Sequence, residues 1–217
     1  MNIFDLIGPI MVGPSSSHTA GAVRIGLVGR KLLGEAPISA ELYLHGSFAE
    51  TGGGHGTDKA LIAGLLGMAP DDPRIPESFV WAEQAGLSFH FGRKELPGAH
   101  PNSVLLHLTG QSGQALDMIA ASIGGGRIQV RSLDGMELCF SAEQPTLIVQ
   151  NEDQPGSVAD VSRVLAEHGI NIATFRVNRD SRGGRAVMVI ECDVPVEALL
   201  LDAISSLPGI LRVVCIQ

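Results

Sequence analysis

Hydrophobic positions divide the chain into short elements whose period changes repeatedly between helix-like and strand-like. Met1 to Val12 is apolar and broken by Gly8-Pro9, which suits a short helical turn or strand. From Ala20 to Leu33 the apolar residues Val23, Leu27, Val28 and Leu32 recur at helical spacing, and Gly34 stops the helix. Ile38 to His45 alternates, with Ala40, Leu42 and Leu44 on one side, and predicts a strand. Gly46 to Asp58 then reads as a glycine-rich loop ahead of a helix over Lys59 to Leu66. A Pro/Asp-rich loop from Ala69 to Pro76 leads to a short helix, Glu77 to Ala85, that bears Trp81. Strands are predicted at Leu87 to Phe91, Val104 to Leu108 and Ala115 to Ala120. After the glycine loop of Ser122 to Gly126, Ile128 to Leu133 and Met136 to Phe140 pair about Asp134-Gly135, a dipeptide suited to tight hairpins.

The polar run Ser141 to Pro145 marks a domain boundary, giving domains over 1–145 and 146–217. Beyond it the elements read strand, helix, strand, strand, helix, strand. Val158, Val161 and Leu165 are expected on the inner face of the first helix, which Gly169 closes. Ile170 to Val177 and Arg185 to Cys192 flank a turn at Asp180–Gly184. Pro195 opens the second helix, with Leu200, Ile204 and Leu207 inward, and Ile210 to Ile216 is the last strand. This order is a βαββαβ unit, a four-stranded antiparallel sheet under two helices. Arg176, Arg179, Arg182 and Arg185 cluster about its hairpin, a pattern usual for a solvated tip.

Composition narrows the function classes. Of 217 residues, 45% are hydrophobic and 18% charged, which is globular rather than disordered. Aromatics are only 4%, so the core must rest on Leu, Ile, Val and Ala. A net charge of −8 argues against nucleic acid as a partner. No apolar run reaches the roughly 20 residues of a membrane span. The N-terminal stretch carries Asp5 and no basic lead, unlike a signal peptide, so a cytoplasmic location is expected without membrane partners. Lys31, Lys59 and Lys94 lie in no nucleophile motif. Cys139, Cys192 and Cys215 are scattered through apolar runs and suit small buried hydrophobes better than a disulfide or metal set.

Two stretches carry candidate chemistry. Gly13 to Ala22 packs two glycines, a proline, four hydroxyls and His18 directly ahead of a helix. Ser17 or Thr19 is expected to cap that helix, whose unpaired N–H groups favour a bound anion. His18 lies in the same stretch and is the side chain best suited to move a proton near neutral pH, the alternative being a Ser/Thr helix cap with a surface histidine. The second stretch sets His55 among glycines, with Thr57 behind it, so backbone can approach a ligand closely and the imidazole is unshielded. No nucleotide-binding glycine motif is completed there. His100-Pro101-Asn102 adds a rigid turn, because the residue before proline is held extended. His45, His90, His107 and His168 fall in element patterns and are expected to pack or face solvent.

The C-terminal unit resembles an ACT domain: Asp153-Gln154-Pro155-Gly156 matches its D-x-P-G loop, and Gly169-Ile170-Asn171-Ile172 its helix-to-strand turn. The resemblance implies a ferredoxin-like fold, self-association through that domain, and an amino-acid site at Asn151, Asp153, Gly156, Ser157 and Asn171. The motifs Ile7 to Ala22, Gly46 to Thr51, Gly54 to Asp58, His100 to Asn102 and Ser122 to Gly126 together resemble the beta chain of bacterial iron–sulfur L-serine dehydratases. That implies an α+β chain, a mixed α/β domain like the allosteric substrate-binding domain of some phosphoglycerate dehydrogenases followed by the ACT unit. It also implies an L-serine ammonia-lyase that makes pyruvate and ammonia with an alpha subunit, whose cysteines hold a 4Fe-4S cluster. The chain ends after the ACT unit, as in the two-subunit form. Within that resemblance His55 is the expected base, with Thr57 and His18 orienting substrate. Ser15, Ser16, Ser17 and Thr19 are expected to bind its carboxylate, and His100 and Asn102 to complete the pocket. Two alternatives are a regulatory, amino-acid-sensing subunit without catalytic side chains and a zinc hydrolase using His18, His55 and His100. No H-x-x-x-H or H-E-x-x-H spacing supports the second.

Overall fold

The computed structural model describes residues 10–217. The expected element over Met1 to Val12 falls mostly outside the described residues, as does Ile7-Gly8-Pro9 of the first motif. The chain separates into two compact units, the second being Met136–Gln217.

In the first unit, a π-helical turn at Ser16–Ala20 runs without a break into α1 (Gly21–Leu33). The helix therefore begins one turn earlier than the apolar period suggests. Its cap is Ser15, in extended conformation, whose side chain accepts from the His18 N–H. Neither Ser17 nor Thr19 does this. The widened turn closes through the Gly21 N–H on the Ser16 carbonyl, five residues back. At the other end Gly34 takes the left-handed conformation (φ 80°) that terminates α1.

β1 (Pro37–Leu44) is followed by α2 (Gly46–His55) and α3 (Thr57–Leu65). The stretch expected to be a glycine loop is thus a helix, ended by Gly56 at φ 69°, and α3 starts as soon as the chain leaves that residue. Propensity opposes α2, since each mid-helix glycine costs about 1 kcal/mol against Ala. Tertiary anchors offset it: Phe48 is fully buried, and its N–H donates to the Pro101 carbonyl.

A short turn and α4 (Ser78–Gln84) lead to β2 (Ser88–Arg93), then β3 (Ser103–Gly110), β4 (Ala115–Gly124), β5 (Arg127–Leu133) and β6 (Met136–Phe140). The sheet order is β2-β1-β3-β4-β5-β6, with β1 and β2 parallel and β1-β3, β3-β4 and β4-β5 antiparallel. Asp134 and Gly135 both have positive φ, 49° and 80°, as the reversal between β5 and β6 requires. β4 extends through Gly124, so Ser122 belongs to a strand rather than to the glycine loop. The inward side chains of β3 and β4, Leu106, Leu108 and Met118, are buried against α1 at Gly29.

The second unit opens with β6 and carries β7 (Thr146–Glu152), α5 (Ser157–Glu167), β8 (Ile172–Arg179), β9 (Arg185–Cys192), α6 (Ala198–Ser205) and β10 (Ile210–Ile216). Its sheet runs β10-β7-β9-β8, antiparallel throughout, the βαββαβ arrangement expected. Leu147, Val149, Met188, Ile190, Val161, Leu165, Leu200 and Ile204 form its core. Val158 departs from expectation: it is exposed, and Ser157 takes the inward position of that first turn.

Candidate functional site

The site begins where α1 and α3 cross. A Cβ on Gly26 would lie 2.3 Å from the Leu61 carbonyl oxygen, and one on Gly64 would lie 2.1 Å from that of Val23. Two glycines thus bring the helix backbones into contact, as side chains would not permit. The turn before α1 and the helix end before α3 become neighbours as a result.

At that junction His18 and His55 stack with ring centroids 5.0 Å apart at 39°. His18 is half-buried, edge-on to Phe48 at 5.3 Å. Its Nε2 lies 3.1 Å from the Thr51 hydroxyl and 3.3 Å from that of Ser47. Burial lowers the pKa of His18 below 6.5, the His55 charge lowers it further, and a bond to Ser47 opposes both. His55 is exposed at the end of α2. Its Nδ1 lies 3.1 Å from the Thr51 carbonyl, which can only accept, so Nδ1 donates and Nε2 keeps its lone pair.

The other motifs close a ring around this pair. The Pro101 carbonyl accepts from Phe48 N–H, and the Ser103 carbonyl from His45 N–H, so the His100–Asn102 turn docks on the start of α2. The Asn102 carbonyl accepts from Ser122 N–H at 2.9 Å. Ser122 in turn abuts Gly21, where a Cβ would stand 2.1 Å from its Oγ. Arg24 on α1 donates to the Gly126 carbonyl at 3.2 Å. Four stretches far apart in sequence therefore meet through direct contacts. His100 is exposed, and its Nδ1 accepts from the Asn102 N–H at 3.1 Å. Ser15, Ser16, Ser17 and Asn102 are half-buried along the same rim.

Two hydroxyls expected to face substrate turn inward instead. Thr19, 2% exposed, donates from Oγ1 to the His55 carbonyl at 3.4 Å and fills the space a Gly13 side chain would need. Thr57 is fully buried, with Oγ1 unpartnered among the described residues. It packs against Gly52, where a Cβ would lie 3.3 Å from its own. Both are turned into packing around α2, Thr19 toward the His55 carbonyl and Thr57 toward Gly52, which apolar periodicity could not reveal for isolated threonines. Ser47 and Thr51, the hydroxyls that do bond His18, were missed because their i, i+4 spacing has meaning only once α2 is known to be helical.

In the second unit Asn151 lies near the end of β7, Asp153 and Gly156 in the loop that follows, and Ser157 opens α5. Asn151 is buried with Oδ1 unpartnered among the described residues, and Gly156 adopts φ 101° ahead of the helix. Asp153 is held below the usual carboxylate range by the Gly183 N–H and by Arg179, each at 3.0 Å. Asn171 does not join them. β7 and β8 both run antiparallel to β9, so the end of one and the start of the other lie at opposite ends of the sheet. Six residues of β9, about 20 Å at strand rise, separate them. Asn171 bonds Asp193 there.

None of this suits an iron–sulfur cluster. Among the described residues no three His, Cys, Asp or Glu side chains gather to hold a metal. Cys192 is buried, and its thiol is pushed up by burial first and by Cys215 and Asp193 after it, which disfavours a thiolate ligand. No helix of the described residues is long and apolar enough to cross a membrane.

The chain is thus an α+β protein of two parts, with paired imidazoles in its first unit and a βαββαβ module in its second. Two family models match the chain: the serine dehydratase beta chain family at residues 2–80, and the ACT domain at residues 145–209. The chain is 42% identical over 212 residues to the "Probable L-serine dehydratase, beta chain" of Bacillus subtilis (strain 168), covering 98% of this chain and 96% of that one. It is 39% identical over 202 residues to the L-serine dehydratase beta chain of Peptoniphilus asaccharolyticus, covering 93% and 91%. Against L-serine dehydratase 2 of Escherichia coli it is 41% identical over 205 residues, 83% of this chain but only 43% of that longer one. The chain belongs to the L-serine dehydratase beta-chain family.

Proposed function

We propose that this chain is the beta subunit of an L-serine ammonia-lyase, which turns L-serine into pyruvate and ammonia together with an alpha subunit. The observation that carries the reading is the His18–His55 pair, 5.0 Å between rings, inside a closed ring of four motif stretches. The match to less than half of the longer Escherichia coli relative supports an enzyme larger than this chain. The sensing-only alternative is not favoured, because the relatives aligned over nearly the whole chain are dehydratase beta chains.

Dehydration of serine requires removal of the α-proton and loss of the β-hydroxyl. The resulting enamine tautomerises to an imine, and water then releases ammonia to leave pyruvate. In this chain Nε2 of His55 is the base for the α-proton, freed for that task because Nδ1 is occupied. His18, kept neutral by burial and by its neighbour, orients substrate alongside. Ser15, Ser16 and Ser17 line the turn that receives the carboxylate, and His100 and Asn102 form its rim. Thr19 and Thr57 hold the frame from inside. On this reading the enzyme's 4Fe-4S cluster is held by cysteines of the alpha subunit, as the family resemblance implies. We place the division of labour at residue 145, with the ACT unit self-associating and receiving a small amino acid at Asn151, Asp153, Gly156 and Ser157. The enzyme is assigned to the cytoplasm.

Anaerobic co-expression with the alpha chain, followed by a pyruvate-release assay on L-serine, tests the proposal. Activity is expected only from the pair, and the isolated beta chain is expected to be colourless and inactive. Pyruvate formation by the isolated chain, or none by a reconstituted pair carrying its cluster, overturns it.

A further inference from the structure

Thr51 stands between the two imidazoles and bonds each through a different atom. Its hydroxyl is 2.9 Å from the Ser47 carbonyl and 3.1 Å from Nε2 of His18, while its carbonyl is 3.1 Å from Nδ1 of His55. The Ser47 carbonyl, one helical turn back, only accepts and is the nearer partner at 2.9 Å, and we assign it the one hydroxyl proton of Thr51. Thr51 Oγ1 then offers only lone pairs to His18, and Nε2 of His18 must carry the hydrogen. The Ser47 hydroxyl, 3.3 Å from the same Nε2, is a second acceptor for it. By the same rule Nδ1 of His55 carries the hydrogen that reaches the Thr51 carbonyl.

Resting on the assignment of this pair to the dehydratase site, we propose that Thr51 is a positioning residue that holds His18 and His55 in opposite tautomers. The unprotonated nitrogens are then Nδ1 of His18 and Nε2 of His55. One residue of α2 thereby decides which nitrogen of each ring is free to accept a proton or a hydrogen bond. A helix is needed for this, because the hydroxyl and the carbonyl of one residue must face two rings held on different elements.

Long-range proton–nitrogen spectra of the 15N-labelled full chain test the proposal at about pH 8, above the ordinary titration range of imidazole. His18→Gln and His55→Gln chains supply the assignments. The wild type is expected to show hydrogen on Nε2 of His18 and on Nδ1 of His55. Thr51→Val keeps the branched shape and the carbonyl but loses the hydroxyl, so His18 is expected to become a tautomer mixture while His55 stays as it was. Thr51→Ser restores His18. With the alpha subunit, Thr51→Val is expected to lower kcat about tenfold with KM within about twofold, and Thr51→Ser to recover most of it. Hydrogen on Nδ1 of wild-type His18 overturns the proposal without any Thr51 variant. So does a Thr51→Val chain with unchanged His18 spectra or unchanged kcat. Full turnover by His55→Ala enzyme overturns the role of His55 itself, a result separable from the tautomer spectra.

Discussion

Gly26 of α1 and Gly64 of α3 face each other so closely that a Cβ on Gly64 would stand 2.9 Å from the Cα of Gly26. This crossing sets the spacing between the turn that carries His18 and the helix end that carries His55. The atoms a new methyl would strike are backbone, which cannot swing aside. Gly64→Ala is therefore expected to destabilise the chain by about 2–3 kcal/mol, read as a lower urea midpoint. An unchanged midpoint would show that the helices slide apart freely.

As the proposed base, His55 is the residue whose loss is expected to cost turnover most. In reconstituted enzyme His55→Ala is expected to cut kcat by at least about a hundredfold, the usual worth of a positioned base. Near-normal pyruvate release from that variant is the contrary outcome.

His18 should make stability depend on pH. Its pKa lies below 6.5 in the folded chain, through burial first and the His55 charge second. The unfolded chain therefore binds the proton first as pH falls. The stability His18 contributes is fully present above pH 6.5 and is lost as pH drops from 6.5 through the lower folded value. His18→Gln removes the titration, so its urea midpoint should fall less than that of wild type between about pH 7 and pH 5. Equal slopes for the two chains would contradict this.

Ser122 presents a buried hydroxyl with no partner among the described residues, pressed against Gly21. Ser122→Ala removes an unmet polar group and is expected to leave stability within about 0.5 kcal/mol or to raise it. Gly21→Ala alone is expected to cost about 1–3 kcal/mol, because its Cβ would strike Ser122. Gly21 has ordinary helical angles, so combining the change with Ser122→Gly should recover much of that cost. Additive costs in the double variant would show that the two residues do not meet.

Much of the second unit was legible because its cues are local. Alternating strands, the left-handed Gly156 and Gly169, and helices with a clear inner stripe each specify one element, and the resulting order admits one compact sheet. The Asp134-Gly135 reversal was legible for the same reason. Residues 46–55 were not. Three consecutive glycines lack both helical propensity and apolar period, and the helix they join is held by the buried Phe48, by the Pro101 carbonyl and by Gly52 against Thr57. Those partners lie up to some fifty residues away, so no local window contains the reason.

Sequence alone determined most of the inventory: the elements outside residues 46–55, where the ACT-like unit lies, and which imidazoles and hydroxyls are available for chemistry. Only the tertiary structure decided their disposition. It turned Thr19 and Thr57 inward, set Asn171 at the far end of its sheet, and put Thr51 between His18 and His55. Side-chain facing depends on helix phase and strand direction, and both are settled by packing between distant segments rather than by the residues that carry the chemistry.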